Sequence, residues 1–243
     1  IGRGHAPSGF TCIFDLIQLT QHLRKRRAAC GSIAFEIPEV KMILDEAKRV
    51  SEVRIVKHTL SHQLIEELMI AANVVVATHL TRHRMPMIYR IHEQPSADKL
   101  MELQQFVQHL GFKKFSFRLG SSAIRDPKQR ALAIARRIQD LVEKSSGTPY
   151  EQVIHFQLLR SMPKAMYAVR HQPHFGLGSD CYCHFTSPIR RYPDVTVHRM
   201  LTALLADHEL SKAAKKKWTR DLATVAKHCT EREIQALEAE RES

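Results

Sequence analysis

Between His184 and Arg199 the chain gathers residue types that can grip an anion: His184-Phe-Thr-Ser-Pro-Ile-Arg-Arg-Tyr-Pro-Asp-Val-Thr-Val-His-Arg199. Arg190 and Arg191 stand side by side, and a guanidinium presents a permanently charged planar fork that matches phosphate or carboxylate oxygens. Thr186-Ser187-Pro188 reads as a helix entry, a hydroxyl N-cap followed by proline at the first helical position. Val197, Leu201, Leu204 and Leu205 continue as an apolar stripe at helical spacing. On such a helix Arg190 and Asp194, four apart, share one face, unless Pro193 moves the start to Tyr192. A helix N-terminus flanked by arginines suits phosphate, because free N–H groups, dipole and guanidinium all favour negative charge. An arginine-rich surface turn tied to local acids would carry the same residues, and charge and periodicity do not choose between the two.

Other residues offer chemistry with less specificity. Cys181-Tyr-Cys183 beside His184 has the look of a metal half-site but lacks a second ligand pair, and strand alternation explains both thiols as small apolar residues. Glu66 and Asn73 are seven apart, nearly two helical turns, and so lie on one face of a helix. Arg24-Lys-Arg-Arg27 complements a helix C-terminus and equally suits a nucleic-acid backbone. Lys113-Lys-Phe-Ser-Phe-Arg118 alternates basic and aromatic residues, which fits nucleic acid or a half-buried strand.

The elements that must position these residues can be read in order. Residues 1–10 form an irregular lead-in. Phe14, Leu16, Ile17, Leu19 and Leu23 predict a helix ending in the basic run. Cys30 to Glu39 reads as a turn and a strand with Ile33, Phe35 and Ile37 on one face, followed by a strand pair at 40–44 and 53–57. Thr59 or Ser61 caps a helix to Arg82 whose buried stripe is Leu64, Leu68, Ala71, Ala72 and Val75. Met85 to Pro95 reads as a short extended segment between prolines, with Ile88 or Tyr89 beginning the alternation. Helices follow at 96–110, with Gly111 as C-cap, at 127–144 and at 150–159. His174 to Gly178 and Tyr182 to Phe185 read as strand-like pieces, and residues 211–243 as a charged helix.

The chain has 243 residues, enough for one sizeable core, and no internal repeat. Its net charge of +12 favours a polyanionic partner, most simply nucleic acid. The cysteines are odd in number and scattered, which suits an intracellular reducing compartment, cytoplasm or mitochondrion, rather than a disulfide framework. The most apolar run, Leu68 to Ala77, is too short to span a membrane and carries Asn73, so no membrane partner is expected. The chain opens on Ile1 rather than methionine, as expected of a segment that begins inside a longer protein.

The stretch His184-Phe-Thr-Ser-Pro-Ile-Arg-Arg-Tyr-Pro-Asp194, with Val197-His-Arg199 after it, resembles the signature of the ribonuclease II and ribonuclease R family, the RNB-type 3′-to-5′ exoribonucleases. Further matches fall in the family's order: Leu23-Arg with Arg26-Arg, Gly31-Ser-Ile-Ala-Phe35, Ile65-Glu-Glu-Leu-Met-Ile-Ala-Ala-Asn73, Pro86 to Pro95, Leu159-Arg-Ser-Met162 and His174-Phe-Gly-Leu-Gly178. The resemblance runs from about residue 16 to 199. It implies an α+β fold, helix-rich with short antiparallel strands, in which residues 1–243 form part of the catalytic domain and 211–243 its charged helical tail. The implied activity is hydrolysis of single-stranded RNA from its 3′ end to nucleoside monophosphates, in RNA processing or decay. The implied cofactor is Mg²⁺, which activates water and stabilises the leaving oxygen. Under the resemblance Arg190 neutralises the scissile phosphate, Glu66 holds the terminal ribose and Phe35 stacks on the last bases. Arg191, Tyr192 and Asn73 join the RNA-binding set. Tyr192 together with Asp194, His198 and Arg199 organises the loop of Arg190.

The family's metal sits on clustered aspartates, and no two aspartates of this chain lie within ten residues of each other. No metal site is therefore expected in this chain, which is expected to be inactive alone and to need an N-terminal catalytic portion or companion chain. A helicase or RNA-processing complex is a further expected partner. The alternative function is a catalytically inactive RNB-like RNA-binding or assembly factor, in a ribosomal or other RNA-processing complex; a third reading is a basic structural module.

Overall fold

The computed structural model describes residues 11–34, 39–46, 48–56, 59–119, 125–206 and 210–242. Helix α1 (Thr11–Ala29) leads to a hairpin of β1 (Glu39–Leu44) and β2 (Val50–Val56), then α2 (Leu60–Arg82) and β3 (Tyr89–Ile91). Helices α3 (Ala97–His109), α4 (Pro127–Ser145) and α5 (Glu151–Ser161) follow, then β4 (Met166–Ala168), a single 3-10 turn (Phe175–Leu177), α6 (Tyr192–Leu205) and α7 (Lys212–Glu242). This is the expected helix-rich α+β arrangement, and both described sheets are antiparallel pairs, β1 with β2 and β3 with β4. Phe35 and the middle of its proposed strand, residues 35–38, lie outside the described residues, and residues 30–34 before them form a turn and irregular backbone.

Local chemistry sets the boundaries. At α2, Thr59 Oγ1 accepts from the backbone N–H of His62 while Thr59 N–H donates to His62 Nδ1, a reciprocal cap. Ser96 caps α3 and Asp126 caps α4, with Pro127 in the first turn. Beyond α3, Gly111 takes φ +104, as a C-terminal glycine can.

Two cores result, with a small third one beside the second, Trp218 packing against both. Helices α3, α4 and α5 bury Leu103, Val107, Ile138, Leu141, Ile154 and Leu158. The C-terminal half of α2, β3, the 181–183 segment and α6 bury Ala77, Leu80, Met87, Ile91, Cys183 and Val197. Helix α7 lies across the β3–β4 pair and buries Leu222 and Ala226 against Ile88 and Tyr167.

Several expectations need correction. Helix α2 does not bury Leu64, Leu68, Ala71, Ala72 and Val75; Val75 is exposed, and its buried residues are Glu67, Asn73, Ala77 and Leu80. By length and composition α2 is also apolar enough to cross a membrane, a test that core helices pass too. Its Glu67 is almost fully buried in an ion pair with Arg27 of α1, and Asn73 is hydrogen-bonded inside the protein, so its polar residues are partnered within the fold, although only 22% of its apolar span is buried. Within the basic run Arg27 is engaged by Glu67 and Arg24 donates to Gln63 at 2.6 Å, while Lys25 and Arg26 are exposed. Lys113 to Arg118 forms no strand. Phe115 is core, its ring set edge-on 5.0 Å from that of Phe117, and α3 straps the segment through Gln104 and Gln108. His174 to Gly178 is not extended but turns, ending on Gly178 at φ +59.

Candidate functional site

Residues 181–191 cross the molecule beside α2 and turn back into α6. The helix does not begin at Thr186-Ser187-Pro188: Pro188 to Arg190 is a turn, Arg191 is the N-cap and Pro193 lies in the first turn of the helix. Asp194 is wholly buried and fastens this corner. Its carboxylate accepts from Ser187 N–H at 2.8 Å and from Arg191 Nε and Nη2, both at 2.9 Å. Arg190 therefore does not share a face with Asp194. With the helix starting at Tyr192, Arg190 stands outside it, and it is Arg191 whose fork closes on the acid.

A cleft of about 750 Å³ lies between the first half of α2 and this segment. Its walls include Ser61, His62, Glu66 and Asn73 from α2, Arg90 from β3, and His174, Tyr182, His184, Thr186 and Arg191. A second hollow of about 720 Å³ lies between the corner and α7, lined by Tyr167, Arg190, Arg191, Tyr192, His228, Arg232 and Glu233. Among the expected site residues, Glu66, Asn73 and Arg191 thus meet in the cleft, whereas Arg190 and Tyr192 face the second hollow. Arg191 lines both. Arg190 is exposed and makes no ion pair among the described residues.

Asn73 departs from its expected role. It is almost completely buried; its Nδ2 donates to Tyr182 Oη at 2.9 Å and its Oδ1 accepts from Phe185 N–H at 3.0 Å. An amide with its carbonyl and one N–H engaged inside the fold shapes the wall rather than reaching for RNA. His198 has a similar duty, with its ring stacked 4.1 Å from Phe185 and its Nε2 bonded to Phe185 O at 2.8 Å.

Sequence reasoning missed a row of rings beside the cleft. Consecutive centroids run His92 to His174 at 5.1 Å, Tyr182 at 5.3 Å, His184 at 5.8 Å and Tyr167 at 5.6 Å. Burial, assisted by the cations around them, lowers His174 and His184 to pKa values of about 3. Both rings are therefore neutral at physiological pH. Burial chiefly raises Tyr167 to about 12, so its hydroxyl stays protonated and meets His184 Nδ1 at 2.9 Å. Arg90 caps the row, its guanidinium carbon 4.5 Å from the Tyr167 ring centre. The available signal was the alternation of Tyr182 and His184, which the thiols of Cys181 and Cys183 share on the opposite side, inside the core.

A family model described as the RNB domain matches residues 12–207. The chain is 37% identical over 228 residues to ribonuclease R 1 of Lactococcus lactis, covering 94% of this chain and 26% of that protein. It is 36% identical over 231 residues to ribonuclease R of Thermotoga maritima, covering 94% of this chain and 31% of that one. The structure of Mycoplasma genitalium RNase R in complex with ribose-methylated single-stranded RNA superimposes with a TM-score of 0.83 at 28% identity, over 95% of this chain and 34% of that one. The chain thus spans about a quarter to a third of the length of these relatives.

Proposed function

This chain belongs to the RNB domain family, and from that membership we propose that it supplies the RNA-holding part of a hydrolytic 3′-to-5′ exoribonuclease acting on single-stranded RNA. The observation that carries the proposal is the corner at Ser187–Asp194. A buried carboxylate fixes Arg191 between two hollows and leaves its neighbour Arg190 projecting without an ion pair among the described residues. A fixed scaffold beneath an exposed guanidinium suits charge that develops on a phosphate during displacement. In this reading Arg190 neutralises the scissile phosphate, Glu66 receives terminal ribose hydroxyls, and Arg191 and Tyr192 hold flanking nucleotides. Asn73 supports the wall through Tyr182 and Phe185. Phe35 keeps its proposed stacking role from the sequence.

A nuclease of this family generally requires a divalent metal, and the donors described here do not fit one. Among the described residues no three His, Cys, Asp or Glu side chains come together. The carboxylates of Glu67, Asp194 and Glu233 each carry an arginine, and Glu66 is the one acid among the described residues that lines the cleft. No step of the reaction is assigned to a metal on these residues, and Mg²⁺ would be held by a further catalytic portion or companion chain. The test is Arg190→Ala in the complete enzyme. Hydrolysis of a 3′-labelled oligonucleotide falls at least a hundredfold while RNA affinity changes less than tenfold. Unchanged turnover removes Arg190 from the mechanism.

A further inference from the structure

The cleft contains a cation for which the sequence motifs give no role. Arg90 of β3 lines it, and Glu233 of α7 holds the guanidinium from outside, bonding Nη1 at 2.6 Å and Nη2 at 2.9 Å. Arg191 is built the same way: Asp194 holds its Nε and Nη2, and Nη1 stays outside that pairing. Neither Glu233 nor Asp194 lines the cleft, and among the described residues Glu66 on α2 is the one acid that does. Two guanidinium groups are thus oriented by carboxylates standing behind them, each with N–H groups to spare. They flank a wall of uncharged rings.

Beside them the Thr186 hydroxyl is buried and has no hydrogen-bond partner among the described residues. A buried polar atom without a partner is uncommon in a folded protein and points to a group that completes it. The cleft therefore offers two fixed forks, with an unsatisfied hydroxyl buried in its wall at Thr186. That set matches a tetrahedral anion with several acceptor oxygens better than a neutral sugar or base.

Resting on the reading of this chain as an RNA-holding module, we propose that Arg90, held by Glu233, and Arg191, held by Asp194, form a phosphate subsite in the cleft that binds a different phosphodiester from the one facing Arg190. Helix α7, all of which lies beyond the matched family region, takes part in it by fixing Arg90. A structural staple between β3 and α7 is the competing role for Arg90, and the two differ in what salt does.

The experiment measures binding of a single-stranded RNA oligonucleotide to the full chain across a salt series, for the unaltered protein, Arg90→Gln and Glu233→Gln. Neutralising one phosphate fewer on a single strand lowers the slope of log K against log salt by about 0.7. The expected result is a drop of about that size and a roughly tenfold weaker affinity in Arg90→Gln, with the slope kept in Glu233→Gln. Oligonucleotides carrying one methylphosphonate then show one position whose penalty disappears in Arg90→Gln. If Arg90→Gln does not fold, Arg90→Lys replaces it; a retained slope with a smaller penalty at that one position supports the subsite. An unchanged slope in Arg90→Gln, equal effects in both variants, or a penalty that persists at every position overturns the subsite while leaving RNA binding intact. Failure of the unaltered chain to bind RNA overturns the RNA-holding reading, and the subsite falls with it.

Discussion

Asp194 shows how one residue fixes the corner around which the site is built. A fully buried carboxylate is tolerable only when paired and hydrogen-bonded, and Asp194 has three donors from two residues. Asp194→Ala would leave Arg191 without its counter-charge and Ser187 N–H without its acceptor. The expected loss is about 3–5 kcal/mol of stability, read from urea unfolding. RNA affinity should fall in step, because Arg191 then loses its orientation toward both hollows. The buried histidines set a pH dependence of known sign. His174 and His184 have folded pKa values of about 3, well below the ordinary value of 6.5. Between those limits the unfolded chain binds protons that the folded chain refuses, so their contribution to stability is complete above about pH 6.5 and is lost as the pH falls toward 3. Each ring contributes a slope of about 1.4 kcal/mol per pH unit at most. Urea midpoints measured at pH 7 and pH 5 should therefore differ clearly in the unaltered protein. The difference should shrink in His184→Asn, which has no ring to protonate, and a difference left unchanged would remove His184 from the account.

At the scale of elements, legibility follows contrast in the sequence. Helices α3 and α4 are readable because cap, proline or terminal glycine coincides with an amphipathic pattern. Helix α2 is readable as a helix but not in its orientation. It is apolar on most faces, so periodicity carries little information, and its buried side is selected by Glu67 and Asn73 finding partners on α1 and on the 182–185 segment. Strand β4 escapes the sequence because three residues carry no usable period and its pairing with β3 is long-range. The Arg191–Asp194 closure is hidden because two prolines offer two starts for α6. At 174–178 glycine-containing sequence serves extended and turned backbone alike, and Gly178 decides between them. Its φ of +59 is left-handed, and a Cβ there would stand 2.6 Å from Ser32 N and 2.7 Å from Cys30 O. Those are backbone atoms that cannot swing aside. Gly178→Ala should cost about 2 kcal/mol or more, visible as a lower melting temperature. Because His174 and Leu177 sit on the same turn and line the cleft, RNA affinity should weaken as well. A variant with unchanged melting behaviour would mean that the turn and the 30–32 loop can separate freely.

For the whole molecule, charge and chemistry divide along different lines. The net charge of +12 attracts a polyanion from any direction, whereas the site gives that attraction a geometry through arginines set in fixed positions. Under the proposed function, holding RNA and cutting it are separable properties, since the arginines, Glu66 and the rings need no metal to be in place. The chain should bind single-stranded RNA on its own, with an affinity that falls about twentyfold between 50 and 200 mM salt if three phosphates are contacted. It should not shorten a 3′-labelled oligonucleotide when Mg²⁺ is added, and EDTA should leave binding unaltered. Addition of a segment that brings clustered aspartates should turn the same mixture into one that releases labelled nucleotide. Mg²⁺-dependent shortening by the chain alone would place a working metal site within its own residues and overturn the division between holding and cutting. Metal-independent binding with a shallow salt response would instead transfer the affinity from phosphates to bases, where the stacking assigned to Phe35 would have to carry it.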